Sequence, residues 1–214
     1  MIDNISWKET QYFRNHISAW GKVNPRHFPW RSTLNPWHCL AVEIMLQRTK
    51  AEQVEPVYWK FIRTYSGPKE YLLDADINIF RGLGLPSRDS QFRLLNQIII
   101  ERGIPLNKPE LMKLPGVGDY IASAFLSLHM RTRTALIDSN IVRLYGRFFG
   151  FNTDPETRRK AWLQHFAEQL TPKRVFRHYN YSVIDFSREI CRPRPDCKAC
   201  PVHRRCSFHT FLCH

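Results

Sequence analysis

Apolar residues recur every three or four positions along almost the whole chain, and that spacing confines it to helices. Val54, Val57, Tyr58, Phe61, Ile62 and Tyr65 follow it. So do Ile121, Ala124, Phe125 and Leu128, then Ile141, Leu144, Tyr145 and Phe148, and finally Trp162 or Leu163 with Phe166, Ala167 and Leu170. Such a stripe is one face of an amphipathic helix, and its ordinary use is to build a core. Sustained period-two alternation, the mark of a half-buried strand, is hard to find. Breakers divide the stripes: "NPRHFPW" (24–30), "SGP" (66–68), "GLGLP" (82–86), "GIPLNKP" (103–109) and "CRPRPDC" (191–197). The pattern predicts an all-α protein of about ten short helices. At 214 residues it has room for one large domain or two small ones. No repeat, heptad run or low-complexity tract interrupts it.

Charge narrows the partner. Lys and Arg number 32 against 19 Asp and Glu, a net +13. That excess favours a polyanion: DNA, RNA or an anionic membrane. No strongly basic amphipathic helix with a lipid-facing edge stands out, and no apolar run approaches the roughly 18 residues of a membrane span. "MIDNISWKETQ" is too polar and acidic for a secretory signal. The expectation is a cytoplasmic, nucleoid-associated protein. Basic charge gathers in the tail, where nine Lys or Arg and three Asp or Glu follow from Thr171 onward.

"NKPELMKLPGVGDYIASAFLSL" (107–128) reads as helix, hairpin, helix. Asn107 caps the first helix, with Glu110 placed to reach back as in a capping box, and Pro109 fits the first turn. Gly116 and Gly118 permit positive φ and leave no side chain over the backbone N–H groups. With the start of the next helix near Asp119, those N–H groups suit an anion, and a DNA phosphate is the natural guest. An ordinary interhelical turn is the alternative for the glycine pair taken alone.

Three motifs in order carry a resemblance. "LPGVG" is followed by a helix and then by Asp138 in "ALIDSNIVR", 20 residues after Gly118; four cysteines come later; and "FPWRSTLNPWHCLAVEIMLQRT" (28–49) precedes both. From about Phe28 to Cys206 the chain resembles the helix-hairpin-helix glycosylases of the endonuclease III superfamily. Its N-terminal segment looks like those of the adenine and mismatch-thymine branches. The resemblance implies two helical lobes with a DNA groove between them: a barrel with the hairpin at 27–131, and a cluster-bearing lobe of 1–26 plus 132–214. Asp138 is then expected at the cleft.

The resemblance implies that Asp138 is the catalytic carboxylate. Breaking an N-glycosidic bond builds positive charge on the deoxyribose, and a fixed carboxylate stabilises it and orients or deprotonates water. Read from its neighbours alone, Asp138 follows "TALI" and precedes an amphipathic helix, which is an N-cap position. One aspartate can do both. Asn140 supports it or the water. Lyase members carry a lysine two residues after the second hairpin glycine; here the residue is Tyr120. A phenol forms no Schiff base, so a monofunctional enzyme is expected. Tyrosine at this place is similar to the mismatch-thymine branch, whereas the adenine branch typically has a small hydroxyl residue there.

Glu43 lies among Ala41, Val42, Ile44, Met45 and Leu46. A carboxyl in apolar surroundings resists ionisation and can act as an acid. The resemblance places it in the base pocket, to protonate a leaving purine or to hydrogen-bond a pyrimidine edge; the plain alternative is a structural glutamate paired to an arginine. Gln47 or Arg48 is expected to fill the gap left by an extruded base, Leu85 to wedge into the stack, and Leu114, Gly116, Val117 and Gly118 to lie against DNA.

Cys191, Cys197, Cys200 and Cys206 fall within 16 residues, spaced Cys-x5-Cys-x2-Cys-x5-Cys. In a reducing compartment such clustering points to metal. The resemblance implies a [4Fe-4S] cluster, although the usual first gap is six residues and here it is five. Zinc is the rival, but only one CxxC occurs. The cluster would fix Arg192, Arg194, Lys198, Arg204 and Arg205 against phosphates. Cys39 and Cys213 have no ligand-like neighbour, and the histidines, His129 and His178 among them, read as structural or surface groups.

These observations converge on a monomeric, monofunctional enzyme that removes thymine and uracil mispaired with guanine from double-stranded DNA. An adenine glycosylase acting opposite 8-oxoguanine is the alternative, disfavoured by Tyr120 and by the absence after His214 of the domain that branch uses for 8-oxoguanine. A non-catalytic DNA-binding iron–sulfur protein is the third reading.

Overall fold

The computed structural model describes residues 5–212; Cys213 lies outside them. Among the described residues the chain is all-helical, without a strand. In order, the helices are α1 (Trp7–Val23), α2 (Pro36–Met45), α3 (Ala51–Thr64), α4 (Pro68–Leu73), α5 (Arg88–Arg102), α6 (Lys108–Leu111), α7 (Asp119–Ala124), α8 (Ser139–Phe149), α9 (Ala161–Leu170), α10 (Phe176–Glu189) and α11 (Ser207–Leu212). A π-helical segment, Phe125–His129, continues α7. No helix among these residues is long and apolar enough to cross a membrane. The chain divides into two compact units: 27–132, and 1–26 together with 133–214.

In the unit of 27–132, α2 is the central element. Nine consecutive residues, Trp37–Met45, are buried. A helix apolar all round belongs inside a core. Asn35 starts it by accepting from the Trp37 and His38 amides, and Pro36 sits at the first position. Trp37 Nε1 donates to Asn96 Oδ1 on α5 at 2.7 Å, so the indole's polar edge is satisfied inside the core. Arg93 donates to Asp89 (2.7 Å) and to the carbonyls of Asp74 and Ile77, while the Tyr71 hydroxyl donates to Asp89. This buried network pins the connection between α4 and α5.

The other unit is built from both ends of the chain. Ser6 and Glu9 form a complete capping box at the start of α1. α1 packs along α10 so closely at Gly21 that a Cβ there would clash with the Ser182 side chain. Phe13 of α1 meets Tyr145, Phe148 and Phe149 of α8 with ring centroids 4.8–5.8 Å apart. The apolar face of α8 is thereby fixed, and its N-terminus carries Asp138.

Candidate active site

The hairpin lies in the unit of 27–132. Asn107 Oδ1 accepts from the Glu110 amide at 3.0 Å, but only half of the expected capping box forms: the Glu110 carboxylate meets Lys113 Nζ at 2.6 Å instead. The two glycines also differ from expectation. Gly116 has φ +77, the left-handed region that favours glycine; Gly118 has φ −90 and ψ −179, an extended conformation open to any residue. Gly118 serves as the N-cap of α7, and a Cβ there would meet nothing within 4 Å. What its missing side chain leaves is open space over the backbone. Lys108 and Asp119 close the hairpin with a 2.6 Å ion pair. The side chains of Leu114 and Val117 are buried in the core, so only their backbones remain to face a ligand.

Gln47 Nε2 donates to the Gly116 carbonyl at 3.1 Å, joining the end of α2 to the hairpin. Arg48 is exposed and adopts φ +60, a strained conformation for a residue with a Cβ. Arg88 on α5 donates to the Ile44 carbonyl at 3.1 Å; burial, with Arg48 nearby, pulls its guanidinium below the usual range. Leu85 is half-buried against the core beside Gly84, whose φ is +72. Tyr120, second in α7, is half-buried.

Glu43 is buried on α2, and its partner is not an arginine. Its Oε1 lies 2.8 Å from Nε2 of His129, with side-chain exposures of 3% and 1%. Of the two expectations for His129, structural or surface, burial excludes the surface one. The partners are 86 residues apart, and no local sequence signal joins them. His178, by contrast, is structural: its Nε2 contacts the Ser18 carbonyl at 2.9 Å.

Asp138 lies in the other unit. Its Oδ1 accepts from the Ile141 amide at 2.8 Å, so the aspartate does cap α8. Its Oδ2 accepts from Asn140 Nδ2 at 3.2 Å and stands 3.9 Å from Arg188 Nη2. The side chain is 20% exposed: held by the backbone, open to a reactant. Arg143 Nη1 donates to Asn140 Oδ1 at 3.0 Å and thereby sets which way the Asn140 amide faces. The same guanidinium donates to the carbonyls of Cys191 (3.0 Å) and Ser187 (2.9 Å). Arg143 and Arg188 are neighbours of Asn140 and Asp138 that the sequence does not announce, because arginine on an amphipathic helix reads as a solvated face.

Cys191, Cys197, Cys200 and Cys206 line one recess, with Leu144, Phe148 and Phe186 behind them. One turn beyond Arg143, Arg147 clasps the loop through the carbonyls of Arg192 (2.7 Å) and Pro193 (2.9 Å). Burial pushes the Cys200 thiol up to about 12, and the nearby Cys206, Cys191 and Cys197 add to it. Four thiolates here need a strongly cationic occupant. Yet among the described residues no three ligand-type side chains are grouped to hold a single ion. Arg192, Arg194, Lys198, Arg204 and Arg205 are exposed along the loop, and Arg205 also lies over the Tyr12 ring at 4.4 Å.

No protein-family model matches the chain. It is 32% identical to a thymine/uracil-DNA glycosylase of Methanothermobacter thermautotrophicus, over 97% of this chain and 98% of that protein. Among solved structures, a thermostable thymine-DNA glycosylase superposes with a TM-score of 0.88 at 32% identity, covering 95% of this chain and 98% of the other. An endonuclease III trapped covalently on DNA gives a TM-score of 0.82 at 21% identity over 96% and 99% of the two chains, a likeness of fold.

Proposed function

This chain belongs to the thymine/uracil-DNA glycosylases of the helix-hairpin-helix superfamily, and from that premise we propose that it is a monofunctional enzyme releasing thymine and uracil mispaired with guanine in double-stranded DNA. The observation that carries the chemistry is Asp138, one oxygen fixed by the Ile141 amide and the other by Asn140, with a fifth of its side chain exposed. Its carboxylate offsets the charge that develops on the deoxyribose as the N-glycosidic bond breaks, and orients the attacking water. Preorganisation matters because the charge appears only in the transition state.

Tyr120 occupies the place where an amine would attack C1′, so the product is an abasic site with the strand intact. Glu43 meets the extruded base. Extrusion costs about a few kcal/mol and least at a mismatch, which is one source of selectivity. Gln47 and Arg48 fill the vacated stack, and Leu85 wedges beside it. Leu114, Gly116, Val117 and Gly118 present backbone N–H groups to phosphates. The enzyme acts as a monomer in the cytoplasm, associated with the nucleoid.

Cys191, Cys197, Cys200 and Cys206 hold a [4Fe-4S] cluster in this reading. Four thiolates on one zinc ion stand about 3.8 Å apart, each about 2.3 Å from the metal. Only one CxxC occurs among the four cysteines, which line one recess together, and this supports a cluster over a single zinc ion. Such a cluster supplies a covalent cross-link that fixes the loop. The arginines and lysine of the loop then meet phosphates.

The test is single-turnover release from duplexes carrying T:G, U:G, A:8-oxoguanine and an oxidised pyrimidine, with and without alkali. Thymine and uracil should be freed from their mispairs with guanine, and strands should break only after alkali. Release of adenine alone, or strand scission without alkali, would overturn the proposal.

A further inference from the structure

The hydrogen bond between Glu43 and His129 has no part in the chemistry derived so far. Two ionisable side chains, almost wholly withdrawn from water, lie 2.8 Å apart. Such groups coexist only when each satisfies the other. The pair is nevertheless not closed, for Nδ1 of His129 is buried without a hydrogen-bond partner. Buried polar atoms are nearly always satisfied, and an exception calls for a reason other than stability.

The backbone points the same way. His129 ends the π-helical segment, and the Met130 amide donates to the Phe125 carbonyl five residues back, at 3.0 Å. One extra residue in a turn rotates the side chains beyond it by about 100° relative to a regular α-helix. Regular spacing would carry the imidazole over a quarter turn away from Glu43. Three polar side chains on α2, α3 and α5 have partners of their own. Tyr58 on α3, close enough to sense the Glu43 charge, contacts Thr33 and is pushed up to about 12 chiefly by burial. Arg88 on α5 is committed to the Ile44 carbonyl. Cys39, one turn before Glu43 on α2, donates to the Thr33 carbonyl.

Resting on the glycosylase reading, we propose that His129 is the positioning residue for Glu43 and, through it, a determinant of base choice. Nε2–H donates to Oε1, and this turns Oε2 toward the base as a hydrogen-bond acceptor. Thymine and uracil present an N3–H that such an acceptor holds. A departing purine needs a proton delivered to its ring, which a carboxyl fixed as an acceptor does not give. The pair tilts the pocket toward mispaired pyrimidines.

Two measurements on the full-length protein test this. Nitrogen NMR correlation spectra of the imidazoles report which His129 nitrogen bears the proton. Nε2 should carry it in the wild type, and Glu43→Ala should alter the His129 signals. A bare Nε2, or signals indifferent to Glu43→Ala, would refute the pairing. Single-turnover release then reads the role. His129→Leu should lower the ratio of thymine release from T:G to adenine release from A:G by about tenfold or more, whereas His129→Gln, which keeps a donor, should hold it within about threefold of wild type. An unchanged ratio in His129→Leu, or a Gln variant as impaired as Leu, overturns the proposal. Should the Leu variant fail to fold, the Gln variant and the spectra decide. A wild type that frees neither thymine nor uracil opposite guanine defeats the glycosylase reading instead, and the spectra still judge the pair.

Discussion

The two units assemble their functional groups over very different lengths of chain. In 27–132 the contacts are long: Glu43 meets His129 across 86 residues and Gln47 meets Gly116 across 69. In the unit formed by the termini they are short: Asp138 is held by Asn140 and Ile141, and Asn140 by Arg143. A short-range site takes its geometry from one helix start and forms as soon as that helix does. A long-range site exists only once its core has packed. The short-range set reaches beyond its own helix at three places: Arg143 donates to the carbonyls of Ser187 and Cys191, and Asp138 stands 3.9 Å from Arg188 Nη2.

The sharpest break of this comparison is Asp138→Asn. Asparagine caps a helix about as well as aspartate, so melting should scarcely move and mismatch binding should persist. Base release in single turnover should nevertheless fall by about a thousandfold or more. Unchanged release would remove Asp138 from the chemistry and leave it a cap.

Next in size is the cysteine loop. With the proposed cluster in place, Cys200→Ser or stripping of the metal should destabilise the terminal unit by on the order of several kcal/mol, since metal binding is folding energy. Visible absorption should disappear, and limited proteolysis should open the chain within 191–206. Cleavage appearing first within 27–132 would show that the loop does not serve its own unit.

The smallest effect is alkaline. Tyr58 and Tyr65, both in 27–132, are pushed from the ordinary value near 10 up to about 12, chiefly by burial. A raised phenol favours the folded state below its unfolded value, so that stability is whole below about pH 10 and is lost as pH rises toward 12. Denaturant titrations across that window should show the fall, and Tyr58→Phe should flatten it. An equally steep fall in the variant would shift the cause to the other raised phenols, Tyr65 and Tyr71 in the same unit or Tyr145 and Tyr179 in the other.

Legibility in the sequence divides along the same line. The helical period, the cap at Asp138 and the grouping of four cysteines are carried by residues near one another in the chain, and each is readable there. The capping box at Asn107 forms by half because Lys113, three residues beyond Glu110, competes for its carboxylate. Composition suggests positive φ at both hairpin glycines, but only Gly116 turns the chain, while Gly118 begins a helix. His129 is hidden twice: its partner is remote, and the π-helical segment that aims it has no compositional signature. Arg143 and Arg147 are hidden because the loop they clasp arrives more than forty residues later.

The π-helical segment at Phe125–His129 also bears on inheritance. A widened turn differs from a regular one by a single residue, so one codon gained or lost there makes or unmakes the contact with Glu43. Asp138, the hairpin and the cysteines stay as they are. On the proposed role of His129, base preference in a lineage built on this scaffold can therefore move in one genetic step while Asp138 keeps its place.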